Sequence, residues 1–409
     1  MNLIEVGGTV GDIEGQPFLE AIRQMRNEVG RNNVLYIHVT FLPYLASTQE
    51  LKTKPTQHSV NELRRVGIQP DVICCRADYE IADNLRDKIA LFCDVPKDAV
   101  IPMTTVKTIY EIPLHLEDWG LGKFIVERLG LADVQADLGQ WRAMVEHIKS
   151  PREPVKIALV GKYIELNDAY YSVRESLFHA ALFNDRALEL FYVQSEDCND
   201  ANAESLLRTA QGIIVPGGFG IRGIEGMITA AKYARENKVP YFGLCLGLQV
   251  MVIELARLVF NSNEPNSTEF KPETKYPVID YMLEQKTVLT KGATMRLGNY
   301  PCQVIEGTLA AQAYGNGIVQ ERHRHRLEFN NKYRDVLGRA GLIYSGINPD
   351  NNLVEIGELK DHPWMLGCQF HPEFLSRPQR PQPLFREFIK AAKEIYREGA
   401  QPPLPMAPE

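Results

Sequence analysis

The chain has 409 residues, of which 44% are hydrophobic and 24% charged, with a formal net charge of -7. That length suffices for two domains with large cores, and near-average charge without a basic stripe excludes a nucleic-acid track, leaving small nucleotides as the nucleotide partners to consider. Seven scattered cysteines without metal-ligand pairing fit reduced thiols in a cytoplasm, and the absence of a signal-peptide pattern or a long apolar run argues against secretion and membrane spanning.

In chain order, residues 2–6 read as a strand that runs into the glycine turn Gly7-Gly8-Thr9-Val10-Gly11. A helix over 17–29 follows, with Pro17 in its first turn and Phe18, Ile22 and Met25 at helical spacing. A parallel strand so apolar should have neighbours. Residues 34–41 and 71–76 read as further strands, separated by a polar loop over 48–57 and a helix over 59–66. On that loop Lys52 and Lys54 can neutralise a triphosphate while Thr56 and Gln57 hydrogen-bond it; the competing reading is a solvated basic loop. Residues 87–93 read as a helix end entering a strand, 99–103 as a strand, and 114–131 as helical with a break around Gly120. Residues 140–154 read as a linker: a helix-like 141–148, then two prolines among charges.

The second half alternates strand and helix. Strands are expected over 155–160, 188–193, 212–215 and 240–243, with a turn at Gly161-Lys162 and helices over 171–182 and 250–260. This pattern argues for a mostly parallel sheet with helices on both faces. Residues 278–282, Val288 and the stretch to Val304 fit an antiparallel extension. A proline-rich loop over 378–383, a helix over 383–396 and a disordered tail over 398–409 complete the chain.

Three motifs carry chemistry. In Tyr241-Phe242-Gly243-Leu244-Cys245-Leu246-Gly247-Leu248-Gln249 a buried strand ends in a cysteine between glycines and is followed by an apolar helix, which is the shape of a nucleophile elbow. A thiolate there sits at a helix N-terminus, whose dipole and free N–H groups favour a thiolate and an oxyanion. Pro216-Gly217-Gly218-Phe219-Gly220 follows a second strand and can aim backbone N–H groups at a reacting carbonyl. Gly367-Cys368-Gln369-Phe370-His371-Pro372-Glu373 supplies an imidazole with a carboxylate two residues on. Taken singly, Cys245 reads equally well as a buried structural thiol and His371 as a satisfied histidine; together the motifs make an acyl-transfer set.

These motifs resemble a class I glutamine amidotransferase domain. Asn266-Ser267-Thr268-Glu269-Phe270-Lys271-Pro272-Glu273-Thr274, Thr294-Met295-Arg296-Leu297-Gly298, Glu321-Arg322-His323-Arg324-His325-Arg326, residues 4–14 and 51–57 are similar to the CTP synthase family, and the likeness covers nearly the whole chain. The resemblance implies an α/β protein of two domains, each an open, mostly parallel sheet flanked by helices. A P-loop-type amidoligase (synthase) domain over 1–139, truncated relative to the family, joins through a linker over 140–154 to an amidotransferase domain over 155–397. Cys245, His371 and Glu373 would form the triad, with the N–H groups of Gly218 and Leu246 on the oxyanion. Gly218, Leu246, Gly247, Leu248, Gln249, Glu269 and Arg326 would hold L-glutamine, Glu269 taking its α-amino group and Arg326 its α-carboxylate. UTP, or CTP as feedback inhibitor, would lie on Asp12, Ile13, Glu14, Lys52, Thr53, Lys54, Pro55, Thr56, Gln57 and Lys88. ATP would meet Thr104, Thr105 and Val106; no acidic residue stands beside Thr105 in the sequence, so backbone contacts are expected there. Glu5 would be a ligand of Mg2+ with ATP. The resemblance also implies GTP as activator, near Phe219 to Arg222 and Arg296, a sealed ammonia passage, and self-association into tetramers.

The family carries a hundred or more residues upstream, with a phosphate loop, whereas no G-x-x-x-x-G-K-[ST] pattern occurs in these 409 residues. Three readings therefore stand open at the sequence level: a synthase represented by part of its sequence, a glutaminase with a nucleotide-sensing first domain, and a regulatory or filament-forming subunit.

Overall fold

A computed structural model of the protein describes residues 2–132, 136–166, 168–281 and 295–395. The expectations at Met282, Val288, Thr294 and 398–409 lie outside the described residues. The chain divides into two compact units, Met1–Lys149 and Ser150–Glu409.

In the first unit the strands Ile37–Phe41, Val72–Ala77 and Val100–Thr104 lie side by side in that order, all parallel. Val72–Ala77 is central because its run Val72, Ile73, Cys74, Cys75 is apolar on both faces, as a strand covered on both sides requires. Val60, Ile73, Ile89 and Ile101 fill the core around it.

Three expectations are corrected here. Residues 2–6 form no strand, and Leu3 and Ile4 are exposed, because an apolar pattern becomes a strand only with a hydrogen-bonded neighbour and no described strand pairs with it. The segment read as a loop over 48–57 contains the short strand Glu50–Leu51, paired with Tyr44–Leu45, and the helix Lys54–Arg65 begins within it. Pro55 supplies the first-turn proline and Thr56, Gln57, Val60 and Leu63 form the buried stripe. Residues 87–93 do not enter a strand but complete the helix Asp83–Cys93. Arg86, Ile89 and Cys93 recur on its buried side while Leu91 and Phe92 face out, a period of 3.6 rather than 2, and Asp94 ends it in a left-handed conformation. The helix-like stretch expected over 141–148 is the helix Gly139–Lys149, held to the first unit by Trp141 Nε1 donating to the Tyr110 carbonyl at 2.7 Å and by Lys149 pairing with Glu111 at 2.7 Å.

The second unit is built on a nine-stranded sheet among the described residues. Its order is Gly317–His325, Arg296–Val304, Leu342–Ile347, Val354–Leu359, Met365–Cys368, Tyr241–Leu244, Gly212–Val215, Pro154–Gly161, Ala187–Gln194. The last five are mutually parallel and the first four extend them antiparallel. One face is covered by Ile224–Glu236 and Leu246–Phe260, the other by Tyr171–Phe183 and Pro383–Lys393, each with its own apolar cluster. The strand Tyr276–Tyr281 instead joins a separate small sheet with Pro265–Ser267 and Leu327–Phe329.

Candidate active site

Three adjacent parallel strands end at one level. Val215 is in register with Gly243, and Leu244 with Cys368, so the loops after all three leave the same edge of the sheet, where open α/β sheets hold ligands. They deliver the glycine loop 216–220, Cys245, and the 369–373 segment.

Cys245 sits at φ 51°, ψ -96°, and the helix Leu246–Phe260 starts at the next residue rather than at Val250 as expected. Such a backbone conformation is strained for a residue with a side chain and persists only where its surroundings enforce it. Two glycines do so. A Cβ on Gly243 would lie 2.4 Å from the Gly247 carbonyl carbon, and one on Gly247 would lie 2.2 Å from the Val215 carbonyl oxygen, so helix and strands approach closely only because both side chains are missing. Leu246 to Gln249 are buried in the first helical turn, where the leading N–H groups have no intrahelical acceptor.

His371 Nδ1 pairs with Glu373 Oε1 at 2.8 Å, and its backbone N–H donates to the Arg322 carbonyl at 2.7 Å. Burial pulls the imidazole pKa down, but the charge and hydrogen bonding of Cys245, together with Glu373, outweigh it and raise it to about 11. The arrangement therefore favours a proton on His371, which stands between a sulfur and a carboxylate. A Cβ on Gly217 would meet His371 Cε1 at 2.8 Å and Cys245 Cβ at 3.6 Å, which puts the glycine loop against both side chains.

The residues expected to hold an amino acid surround this point unequally. Gln249 Nε2 donates to the Leu327 carbonyl and to Gln369 Oε1, both at 3.3 Å. Glu269 Oε1 accepts the Gly220 N–H at 2.8 Å, and Arg326, between two strands, keeps a buried Nε without a hydrogen-bond partner. Two residues given no role by the sequence reading belong to the neighbourhood. Gln369 Nε2 lies 3.6 Å from Cys245 Sγ, and its place two residues before His371 in the same motif was the available signal. Lys162, 2% exposed, reaches the glycine loop; a lysine directly after an apolar strand was the signal there.

Arg296 is corrected. It is not an exposed nucleotide contact: it is buried between Glu328 and Glu355, 2.9 Å from each, with its guanidinium over Tyr300. Phe219 and Ile221 are exposed, and Arg222 pairs with Glu196 at 2.7 Å.

In the first unit the expected nucleotide residues stand in different environments. Glu5 is in exposed irregular chain, and Asp12, Ile13 and Glu14 are exposed around the short 3-10 turn Ile13–Gly15. Lys52 pairs with Glu50, whose carboxyl is held below its ordinary range first by that hydrogen bond and more weakly by Lys88. Lys88 is exposed on its helix, and exposed Lys54 and Pro55 open the helix that follows Lys52. Thr53, Thr56 and Gln57 are buried instead: Thr56 Oγ1 donates to Thr40 Oγ1 at 3.0 Å and Gln57 Nε2 to Thr53 Oγ1 at 3.1 Å, because the helix turns these side chains inward. Thr104 ends its strand, Thr105 and Val106 follow, and the acidic neighbour lacking in the sequence comes from space: Thr105 Oγ1 donates to Asp78 Oδ1 at 2.7 Å. Glu5 belongs to no group of three or more metal-ligating side chains among the described residues, so by itself it does not make a magnesium site.

Comparison with known proteins agrees with both units. The CTP synthase N-terminus family matches residues 1–131 and the glutamine amidotransferase class-I family residues 165–391. A CTP synthase of Dehalococcoides mccartyi is 66% identical over 406 residues, covering 99% of this chain and 75% of that protein. A CTP synthase of Thermomicrobium roseum is 60% identical over 405 residues, 99% of this chain and 73% of that protein. The solved Trypanosoma brucei CTPS glutaminase domain with bound acivicin shares 39% identity at a TM-score of 0.56, covering 59% of this chain and 94% of its own. No described helix is long and apolar enough to cross a membrane. Two family matches in tandem and identity along almost the full length place this chain in the CTP synthase family.

Proposed function

We propose that the second unit releases ammonia from L-glutamine through Cys245, His371 and Glu373, and that the first unit uses it to convert UTP to CTP. The Cys245 sulfur attacks the γ-carbonyl, forming a tetrahedral oxyanion held by the N–H groups of Gly218 and Leu246. His371 gives its proton to the departing nitrogen, ammonia leaves and a glutamyl thioester remains. Water, deprotonated by His371, then cleaves the thioester to glutamate and expels the sulfur as a thiolate, restoring the pair with the imidazolium. Glu373 keeps the imidazole oriented and charged. Leu246, Gly247, Leu248 and Gln249 line the substrate. Glu269 takes its α-ammonium, and the unpartnered Nε of Arg326 supports a role on its α-carboxylate.

In the first unit, ATP phosphorylates O4 of UTP and ammonia displaces that phosphate. UTP, or CTP as inhibitor, lies on Asp12, Ile13, Glu14, the 52–57 stretch and Lys88, with Lys52 and Lys88 as its charged contacts. ATP meets Thr104, Thr105 and Val106. ATP would enter as its magnesium complex, for which Glu5 by itself is not a sufficient site. GTP as activator near Phe219, a tetrameric assembly and a cytoplasmic location complete the reading.

The observation that carries it is the placing of a strained cysteine and a carboxylate-paired imidazole at the ends of neighbouring parallel strands. The test is Cys245→Ser: ammonia release from glutamine and glutamine-dependent CTP formation are both expected to disappear, while added ammonium still supports CTP formation. Undiminished glutamine consumption by the variant overturns the assignment.

A further inference from the structure

Lys162 follows directly on the strand Pro154–Gly161, and its ammonium is buried at the glycine loop. Nζ donates to the Phe219 carbonyl at 3.0 Å and to the Gly220 carbonyl. The Gly220 N–H, at the other end of the Phe219–Gly220 peptide, donates to Glu269 Oε1 at 2.8 Å. One peptide plane is thus gripped by a cation at its oxygen and a carboxylate at its nitrogen. Since C=O and N–H of a trans peptide point in opposite directions, the two grips together forbid its rotation.

The lysine itself is fixed. Its backbone N–H donates to the Tyr170 hydroxyl at 2.9 Å, and its carbonyl accepts from Arg222 Nη2 at 2.9 Å and Gln194 Nε2 at 3.4 Å. Its stem runs beside the preceding glycine: a Cβ on Gly218 would be 3.9 Å from Lys162 Cε. Burial lowers the lysine pKa to about 8, opposed by Glu269 and reinforced by Arg222, so most molecules keep the charge at neutral pH. A buried cation whose hydrogen bonds go to loop carbonyls acts on that loop's conformation, and Gly220, at φ +76°, is a residue type that could otherwise swing.

We propose that Lys162 is a positioning residue of the glutaminase reaction: with Glu269 it clamps the Phe219–Gly220 peptide and so holds the neighbouring Gly218 N–H toward the oxyanion formed at Cys245. This rests on the oxyanion role given above to Gly218. The clamp acts where charge develops in the transition state, so its loss falls on kcat and hardly on substrate affinity.

The experiment compares wild type, Lys162→Met and Lys162→Gln in glutamine hydrolysis, alongside the rate and extent of Cys245 alkylation by iodoacetamide, with Cys245→Ser as background. Alkylation needs the sulfur and its imidazole but passes through no oxyanion, and it counts intact sites. In Lys162→Met, kcat per alkylatable site is expected to fall about 100-fold, with KM and the alkylation rate within about threefold of wild type. Lys162→Gln keeps an N–H donor in the pocket and is expected to retain about tenfold more activity than Lys162→Met. The proposal is overturned by an unchanged kcat, by a rise in KM at constant kcat, by alkylation falling in step with kcat, or by equal losses in the two variants. If wild type hydrolyses glutamine and Lys162→Met matches it, the clamp alone fails; if wild type releases no ammonia, the site assignment fails and the clamp with it.

Discussion

The two units treat their motifs differently. In the second, residues 216–220, 245–249 and 369–373 are far apart in the chain and converge at the ends of three hydrogen-bonded strands. In the first, the nucleotide motifs 12–14, 52–57 and 88 are divided between exposed and buried positions, and half of the 52–57 stretch faces the core. The difference lies in what each motif needs. A nucleophile and its base must be held to a fraction of an ångström by the scaffold, whereas lysines that neutralise phosphates act as mobile point charges and can wait in solvent.

The largest test of that contrast is Glu373→Gln, which keeps the side-chain shape but removes the charge that helps hold His371 as an imidazolium. Glutamine turnover is expected to fall by about 100-fold or more. A loss below about threefold would show that the triad geometry does not organise this unit.

Next comes Glu321, which is buried and accepts from the Tyr314 hydroxyl at 2.6 Å and from Gln382 Nε2 at 3.1 Å. Burial raises its pKa from 4.5 to about 7, with Glu373 adding to the rise and the two hydrogen bonds opposing it. Between these values the folded protein holds a proton that the unfolded chain has lost. The stabilisation is therefore complete below pH 4.5 and disappears as the pH climbs to about 7. Relative to Glu321→Gln, wild type should lose on the order of 3 kcal/mol of unfolding free energy across that window, read by denaturant titration at several pH values. A difference that stays flat with pH would refute it.

Gly247→Ala puts a methyl group against the Val215 carbonyl and should cost about 1–3 kcal/mol in the same titration. An unaffected midpoint would mean that helix and strand do not need the contact.

The smallest effects are expected in the first unit, where two substitutions separate its exposed and buried positions. Lys88→Ala should weaken UTP binding by about tenfold, measured calorimetrically, with stability kept. Thr56→Val should cost about 1 kcal/mol of stability through the lost Thr40 hydrogen bond while changing UTP affinity less than Lys88→Ala does. The reverse pattern would make the 52–57 stretch a preformed site like that of the second unit.

Alternation of apolar strands and helical stripes was enough to identify the parallel sheet of the second unit, because each period writes its own burial into the sequence. Glycines flanking a cysteine announced the sharp turn for an equally local reason: only a residue without Cβ allows the approach seen at Gly243 and Gly247. Partnerships across space were not legible. Residues 2–6 carry a strand pattern but find no ladder, and Thr105 meets an Asp78 that lies 27 positions away. Arg296 is consumed by two buried glutamates, and Lys162 finds its acceptors more than 50 residues downstream. By itself the sequence determined which backbone segments could turn, span and bury a face, since those properties depend on near neighbours. Only the tertiary structure decided which charges and hydrogen bonds are satisfied by which partners, because the desolvation and pairing of a polar group depend on every element packed around it.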